Sequence, residues 1–268
     1  MSPLSPLLDG YDHVLLDLDG CVWVGDETTR SAPEAVAELR SAHKHIAFIT
    51  NDAQRSGEEY VRKLWSLGIR ASLAEVVTVG GAIQHVLAVG HPAGATAYVI
   101  GSEAIFRHVE DAGLHIVNGT DRAGRAEVVV VAGHEDLHFS ELRDAVQAII
   151  AGAHLIAAGR DRTFPMPDGP WPGTGAVVAA LEYATLRTAE IVGKPDPQVF
   201  LTALDRLGPG RALAVGDRLD ADLAGAAAAG LDAAIVLTGA TTRAEAEAAE
   251  EPAPIAIAED LAELVLAG

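Results

Sequence analysis

Asp17 and Asp19 close an apolar run, His13-Val14-Leu15-Leu16-Asp17-Leu18-Asp19-Gly20. Two carboxylates one residue apart repel each other and are costly to desolvate. Their placement makes sense if a cation offsets them and one of them reacts. An apolar run of this kind reads as a buried parallel strand, and the carboxyl end of such a strand is where α/β proteins place their chemistry. Three further polar stations follow apolar strand candidates. Thr50-Asn51 follows Ile46–Ile49, Gly193-Lys194-Pro195 follows Glu190–Val192, and Gly216-Asp217, with Asp220 and Asp222, follows Ala212–Val215. The strands of a parallel sheet expose their carboxyl ends on one edge, so the four stations are expected to converge. Singly, each has an ordinary reading. Asp-x-Asp-Gly is a common turn, and Asp217 and Asp220 suit the cap of a helix starting near Ala221.

The elements that must position these residues alternate along the chain. Strand candidates are 13–18, 45–50, 96–100, 127–132, 154–158, 189–193, 211–216 and 232–237. Helical patterns lie between them. Ser31–Glu34 and Ser56–Glu59 fit capping boxes, and Thr242–Glu245 fits the start of a helix running to Glu251 before Pro252. Alternation of this kind predicts parallel sheets covered by helices on both faces. The segment 79–182 differs: its strands do not end in reactive residues at the same spacing, and it holds a Pro/Gly-rich loop from Arg160 to Gly175. It reads as an inserted second domain, with 1–78 and 183–268 forming one core.

Composition narrows the function classes. The chain has 268 residues, 49% of them hydrophobic, enough for a sizeable core and against global disorder. Its formal charge of −19 opposes non-specific binding to nucleic acid or an anionic membrane. An anionic substrate would therefore need a local positive centre. A single cysteine, Cys21, forbids an intramolecular disulfide, and no run approaches the length of a membrane span, so a cytoplasmic protein is expected.

Asp17-x-Asp19-Gly20, Thr50-Asn51, Gly193-Lys194-Pro195 and Gly216-Asp-Arg-x-x-x-Asp222 stand in an order that resembles the haloacid dehalogenase superfamily of phosphoryl-transfer enzymes. Trp23-Val-Gly-Asp26, Gly193-Lys-Pro-Asp-Pro197 and Leu237-Thr-Gly239 further resemble its NagD-like subfamily (class IIA, with a C2-type cap). The resemblance implies a Rossmann-like parallel-sheet core with an inserted α/β cap domain. It also implies a Mg²⁺-dependent phosphatase acting on small phosphate monoesters, such as glycerol 3-phosphate, phosphoglycolate, pyridoxal phosphate or nucleoside monophosphates. Asp17 would attack phosphorus and become an aspartyl phosphate. Asp19 would protonate the leaving oxygen and later activate water. The metal ligands would be the Asp17 and Asp217 carboxylates and the Asp19 carbonyl, with Asp222 acting through water or through Asp217. Lys194 would supply charge, and Thr50 and Asn51 would donate to phosphoryl oxygens. Gly20, Asp52, Arg160, Asp161, Gly173 and Thr174 complete the implied substrate-binding set. Some relatives dimerise through the cap, so a homodimer is one implied assembly.

The pattern departs from the subfamily at two places. Asp52 stands where a further Asn is common, and an additional carboxylate there would repel phosphate unless it bonds a local backbone N–H. Gly159 replaces an Asn in the cap loop, which would enlarge or re-aim the substrate pocket. Other features have competing readings. His134-Glu-Asp-Leu-His138 spells a zinc-protease motif but lies between a strand and Ser140, a natural N-cap, and so reads as loop. Trp23 fits a flap over the site or simple packing. Cys21 fits packing beneath the turn or a redox-sensitive position. Three rival functions share the residue set: a phosphoacceptor switch, which Asp19 argues against, a phosphotransferase, and a non-catalytic phosphometabolite sensor.

Overall fold

The computed structural model describes residues 4–133, 136–166 and 169–267. It is an α/β protein of two compact units: 1–50, 57–77 and 194–268 in the first, 51–56 and 78–193 in the second. In chain order the first stretch carries β1 (His13–Asp17), the hairpin β2 (Trp23–Val24) and β3 (Glu27–Thr28), α1 (Ala32–Ser41), β4 (His45–Thr50), α2 (Gly57–Ser66) and β5 (Val76–Thr78). The middle carries α3 (Val79–Gly90), β6 (Thr96–Ile100), α4 (Glu103–Asp111), β7 (His115–Ile116), β8 (Val128–Val131), α5 (Phe139–Ala151) and β9 (His154–Ala157). It continues through the hairpin β10 (Thr163–Met166) and β11 (Gly169–Pro172), α6 (Thr174–Thr185) and β12 (Glu190–Ile191). The return to the first unit carries α7 (Gln198–Leu207), β13 (Ala212–Gly216), a π-helical turn (Leu219–Leu223), α8 (Ala224–Ala228), β14 (Asp232–Val236), α9 (Arg243–Ala248), β15 (Ala256–Ala258) and α10 (Leu261–Val265).

The first unit is built on a six-stranded sheet in the order β15-β14-β13-β1-β4-β5. β1 lies between β13 and β4 and is parallel to both, with Leu16 level with Val215 and Asp17 level with Ile49. The chain leaves β1 toward β4 on one side and returns through β13 on the other. The carboxyl ends of β1 and β13 are therefore the topological switch point, where doubly wound sheets open a binding crevice. Every residue of β1 is buried. Leu16, Phe48 and Leu213 share one core with Leu39 of α1 and Tyr60 and Leu64 of α2. Each fully buried large apolar side chain stabilises the fold by about 1.5–3 kcal/mol.

The second unit has its own parallel sheet, β12-β9-β8-β6-β7, and its own core. Tyr98, Ile100, Val129 and Val131 pack there with Ala145 and Ile149 of α5 and Val178 and Leu181 of α6.

The structure differs from the sequence-based expectation at identifiable places. Residues 183–193 group with the second unit rather than the core, because β12 pairs with β9 through Glu190↔Ile156 and Ile191↔Ala157. Residues 51–56 also join it, and the Ser102 hydroxyl donates to the Ala53 carbonyl at 2.9 Å. The 160–175 stretch, expected as a loop, contains the β10–β11 hairpin. A two-stranded ribbon tolerates proline because an outward N–H is not needed for pairing. The strands β5, β7 and β15 are too short to stand out in the sequence. Ser31 sits at the N-cap of α1 in a left-handed conformation (φ 50°) without a side-chain cap bond, so the expected box is not formed. The Thr242–Glu245 box is formed, but α9 ends at Ala248. His138, rather than Ser140, is the N-cap of α5, and His134 and Glu135 lie outside the described residues. No described helix is long and apolar enough to cross a membrane.

Candidate active site

Asp17 is the last residue of β1 and is 6% exposed. Asp217 follows β13, and Asp222 lies in the π-helical turn after it, at 4% and 3% exposure. Carboxylate oxygens of the three lie within 4.8 Å of one another. Lys194, also buried, donates from Nζ to Asp17 Oδ1 and to Asp222 Oδ1, the latter at 2.6 Å. One ammonium thus pairs with two of the three carboxylates. Burial is the largest influence on Asp17 and pushes its carboxyl up to about 8, with Lys194 opposing and Asp222 and Asp217 adding to the rise. Burial also raises Asp217. The same burial pulls on Lys194, but Asp17 and Asp222 outweigh it and hold the ammonium above its ordinary value. An all-oxygen donor set with excess negative charge in a desolvated place fits a hard divalent cation.

Lys194 arrives by a route the sequence did not suggest. The strand before it, β12, is the edge of the other sheet, so Gly193-Lys194 does not follow a strand of the core. Lys194 reaches the site from the segment leading into α7. Of the four expected strand ends, those of β1, β4 and β13 share the core sheet. Thr50 ends β4, one residue beyond the position level with Asp17, and is 3% exposed.

Asp222 is held firmly. Its Oδ2 accepts the backbone N–H groups of Asp217 at 3.2 Å and Arg218 at 3.1 Å, while Oδ1 accepts Lys194. It therefore orders the turn that carries Asp217. Asp220 turns away and pairs with Arg218 at 2.9 Å.

The loop after β14 completes the surroundings of Asp217. The Ala240 N–H donates to Asp217 Oδ2 at 2.6 Å, and the Thr238 hydroxyl donates to the Gly20 carbonyl at 2.5 Å. A Cβ on Gly239 would lie 1.9 Å from Asp217 Oδ2, and one on Gly20 (φ +87°) 2.5 Å from the same carboxylate. Leu237-Thr-Gly239 was the sequence signal for this loop, but its contact with Asp217 was not foreseen.

Asp19 is exposed, and its Oδ1 accepts the indole N–H of Trp23 at 2.7 Å. Trp23 itself is fully buried, so it packs while belonging to the β2–β3 hairpin. Cys21 is also fully buried, and burial pushes its thiol well up, the opposite of a reactive thiolate site.

The remaining expected residues lie in the second unit. Asp52 accepts the Gln54 N–H at 2.8 Å, a local backbone bond of the expected kind, and Asn51 precedes it. Arg160 forms two bonds with Glu182, at 2.9 and 2.7 Å, so its guanidinium is committed to α6. The Gly173 and Gly175 N–H groups donate to Arg162 and Asp161 carbonyls, both at 2.9 Å, and the Thr174 hydroxyl donates to the Ala132 carbonyl at 3.0 Å. This glycine turn spends those donors on starting α6 rather than presenting them to an anion. A Cβ on Gly159 would lie 3.0 Å from Asp161 Oδ2, so a side chain in place of this glycine would crowd the Asp161 carboxylate.

A doubly wound sheet with a buried carboxylate cluster at its switch point defines a Rossmann-like α/β protein whose site fits a divalent cation. Residues 14–115 match the haloacid dehalogenase-like hydrolases, and residues 191–264 match a HAD-hydrolase-like family. The D-glycerol 3-phosphate phosphatase of Mycobacterium tuberculosis is 38% identical over 247 residues, spanning 92% of this chain and 69% of that protein. Chronophin from Homo sapiens is 32% identical over 258 residues, spanning 91% and 87%. A glycerol phosphate phosphatase structure from Mycobacterium tuberculosis in complex with magnesium superposes with a TM-score of 0.88 at 37% identity, covering 98% of this chain and 78% of that one. The chain belongs to the haloacid dehalogenase-like hydrolases, and these relatives agree with the NagD-like subfamily.

Proposed function

We propose that this enzyme, a phosphoric monoester hydrolase, cleaves small phosphorylated metabolites through an aspartyl phosphate on Asp17. The observation that carries the reading is the buried cluster of Asp17, Asp217 and Asp222, with Lys194 paired to Asp17 and Asp222. Asp17 attacks phosphorus as the bond to the leaving oxygen breaks. Asp19 gives that oxygen a proton and later takes one from the water that releases phosphate. Lys194 and the hydroxyl of Thr50, with Asn51 next in the chain, offset the phosphoryl charge. Mg²⁺ fits the donor set, held by the Asp17 and Asp217 carboxylates and the Asp19 carbonyl, and when bound it supplies positive charge to the phosphoryl oxygens. Asp222 orders the Asp217 turn.

The second unit acts as the cap that reads the leaving group, with Asp161 its foremost candidate for contact. Glycerol 3-phosphate is the first substrate to try, because the 38% identical relative is named for it. The reading includes a cytoplasmic location, supported by the single buried cysteine. It also includes a homodimer, supported by Phe139, Tyr183 and Leu186, which are 84%, 88% and 90% exposed. Phosphate release is to be measured across sugar, polyol, nucleotide and cofactor monophosphates, with and without Mg²⁺, beside Asp17→Asn. Magnesium-dependent release that disappears in the variant supports the reading. Absence of release from every ester by folded protein overturns it in favour of a sensor or transferase.

A further inference from the structure

Asp19 and Trp23 are joined twice. The backbone forms a bridge between them, with the Gly20 N–H donating to the Trp23 carbonyl at 2.7 Å and the Trp23 N–H to the Leu18 carbonyl at 3.2 Å. The side chains meet through the 2.7 Å bond from the indole Nε1 to Asp19 Oδ1. The indole is itself fixed. It is fully buried, stacks on Tyr60 with ring centroids 6.1 Å apart at 8°, and carries the Lys63 ammonium 4.5 Å above its ring. Lys63 also donates to the Gly25 carbonyl at 2.8 Å and so ties the hairpin to α2.

An exposed aspartate ordinarily exchanges rotamers within nanoseconds. A buried indole N–H has the opposite tendency, because it is strongly disfavoured without an acceptor. The bond couples the two, so burial of the ring restrains the exposed carboxylate. It also divides the work of the two oxygens. Oδ1 is occupied by a donor, and among the described residues Oδ2 accepts no hydrogen bond. Oδ2 is therefore the oxygen left open toward a reacting group.

We infer that Trp23 is a positioning residue for proton transfer, holding Asp19 so that Oδ2 alone exchanges the proton with the leaving oxygen and then with water. The inference rests on the reading that Asp19 is the proton donor. In the first step the Oδ2 proton passes to the ester oxygen as the bond between that oxygen and phosphorus breaks and the Asp17–phosphorus bond forms. In the second step a water proton passes to Oδ2 as its oxygen attacks phosphorus and the Asp17–phosphorus bond breaks. A proton matters most when the leaving group is a poor one, so the consequence is a dependence on leaving group.

The test compares two esters in pre-steady-state experiments with substrate in excess and Mg²⁺ present: glycerol 3-phosphate, whose alkoxide needs the proton, and p-nitrophenyl phosphate, whose phenolate leaves without it. Trp23→Phe keeps an aromatic ring against Tyr60 and removes the N–H. It is expected to slow phosphoenzyme formation from the alkyl ester about ten- to a hundredfold, with KM little changed and the nitrophenol burst preserved. Asp19→Asn is expected to show the same pattern more strongly. Equal losses on both esters, or no loss on either, in Trp23→Phe would overturn the inference while Asp19→Asn discriminates. If Asp19→Asn itself fails to discriminate, the role given to Asp19 falls, and the inference with it. Should Trp23→Phe fail to fold, benzothienylalanine at position 23, which matches the ring but lacks the N–H, must give the same discrimination.

Discussion

Asp222 holds Lys194 Nζ at 2.6 Å, and both are buried. The same carboxylate accepts two backbone N–H groups from the turn bearing Asp217. Removing it leaves two amide donors without their acceptor and takes from the Lys194 ammonium one of its two carboxylates, Asp17 remaining. Asp222→Ala is expected to destabilise the fold by about 3–5 kcal/mol, the usual cost of breaking a buried pair from one side. Urea unfolding at neutral pH measures this, and a loss below about 1 kcal/mol would mean that water replaces the carboxylate.

The carboxylate cluster carries more negative charge than Lys194 offsets. Mg²⁺ is therefore expected to raise the thermal midpoint, by an amount equivalent to about 2.7 kcal/mol at a hundredfold excess over its dissociation constant. Asp217→Asn should abolish most of that rise. An unchanged magnesium response in the variant would place the ion elsewhere.

Gly239 leaves no room for a side chain beside Asp217. Gly239→Ala should displace the carboxylate and lower kcat/KM about a hundredfold, since misplacement on the order of 1 Å has that effect. Near-normal activity with an unchanged magnesium midpoint would show that the 238–240 loop yields instead.

Burial pushes the Glu75 carboxyl up, but the hydrogen bonds from Arg40 and the Ser72 backbone outweigh it and hold the group below its ordinary 4.5. A lowered carboxyl contributes stability above its unfolded value, and that contribution is lost as pH falls through the folded one. Glu75→Gln should therefore cost about 1 kcal/mol at neutral pH, allowing for partial exposure of the pair, and nothing in strong acid. Urea midpoints at the two extremes check the sign.

Cys21 is buried and its thiol is held protonated. Wild type and Cys21→Ser are expected to lose activity to peroxide at the same rate. Protection in the variant would restore the idea of a redox-sensitive position.

The parts of this protein legible in its sequence were those written in short stretches of chain. Apolar runs ending in Asp17, Thr50 and Asp217 marked β1, β4 and β13, because a buried parallel strand shows as uninterrupted apolar residues and its end as a change to polar ones. The local turn at Asp52 was legible for the same reason, since its partner Gln54 is two residues away. The tertiary structure alone decided the rest. Whether β12 joined the core sheet or the other one depended on pairing with β9, more than thirty residues earlier, and two residues of strand carry too little pattern to specify it. The commitment of Arg160 to Glu182 and the contact of Gly239 with Asp217 likewise join residues more than twenty positions apart. Trp23 and Asp19 are only four positions apart, yet their bond required the hairpin to fold back and bury the ring. Residue types set which chemistry was available. Strand order and burial determined which oxygens and donors were left to perform it.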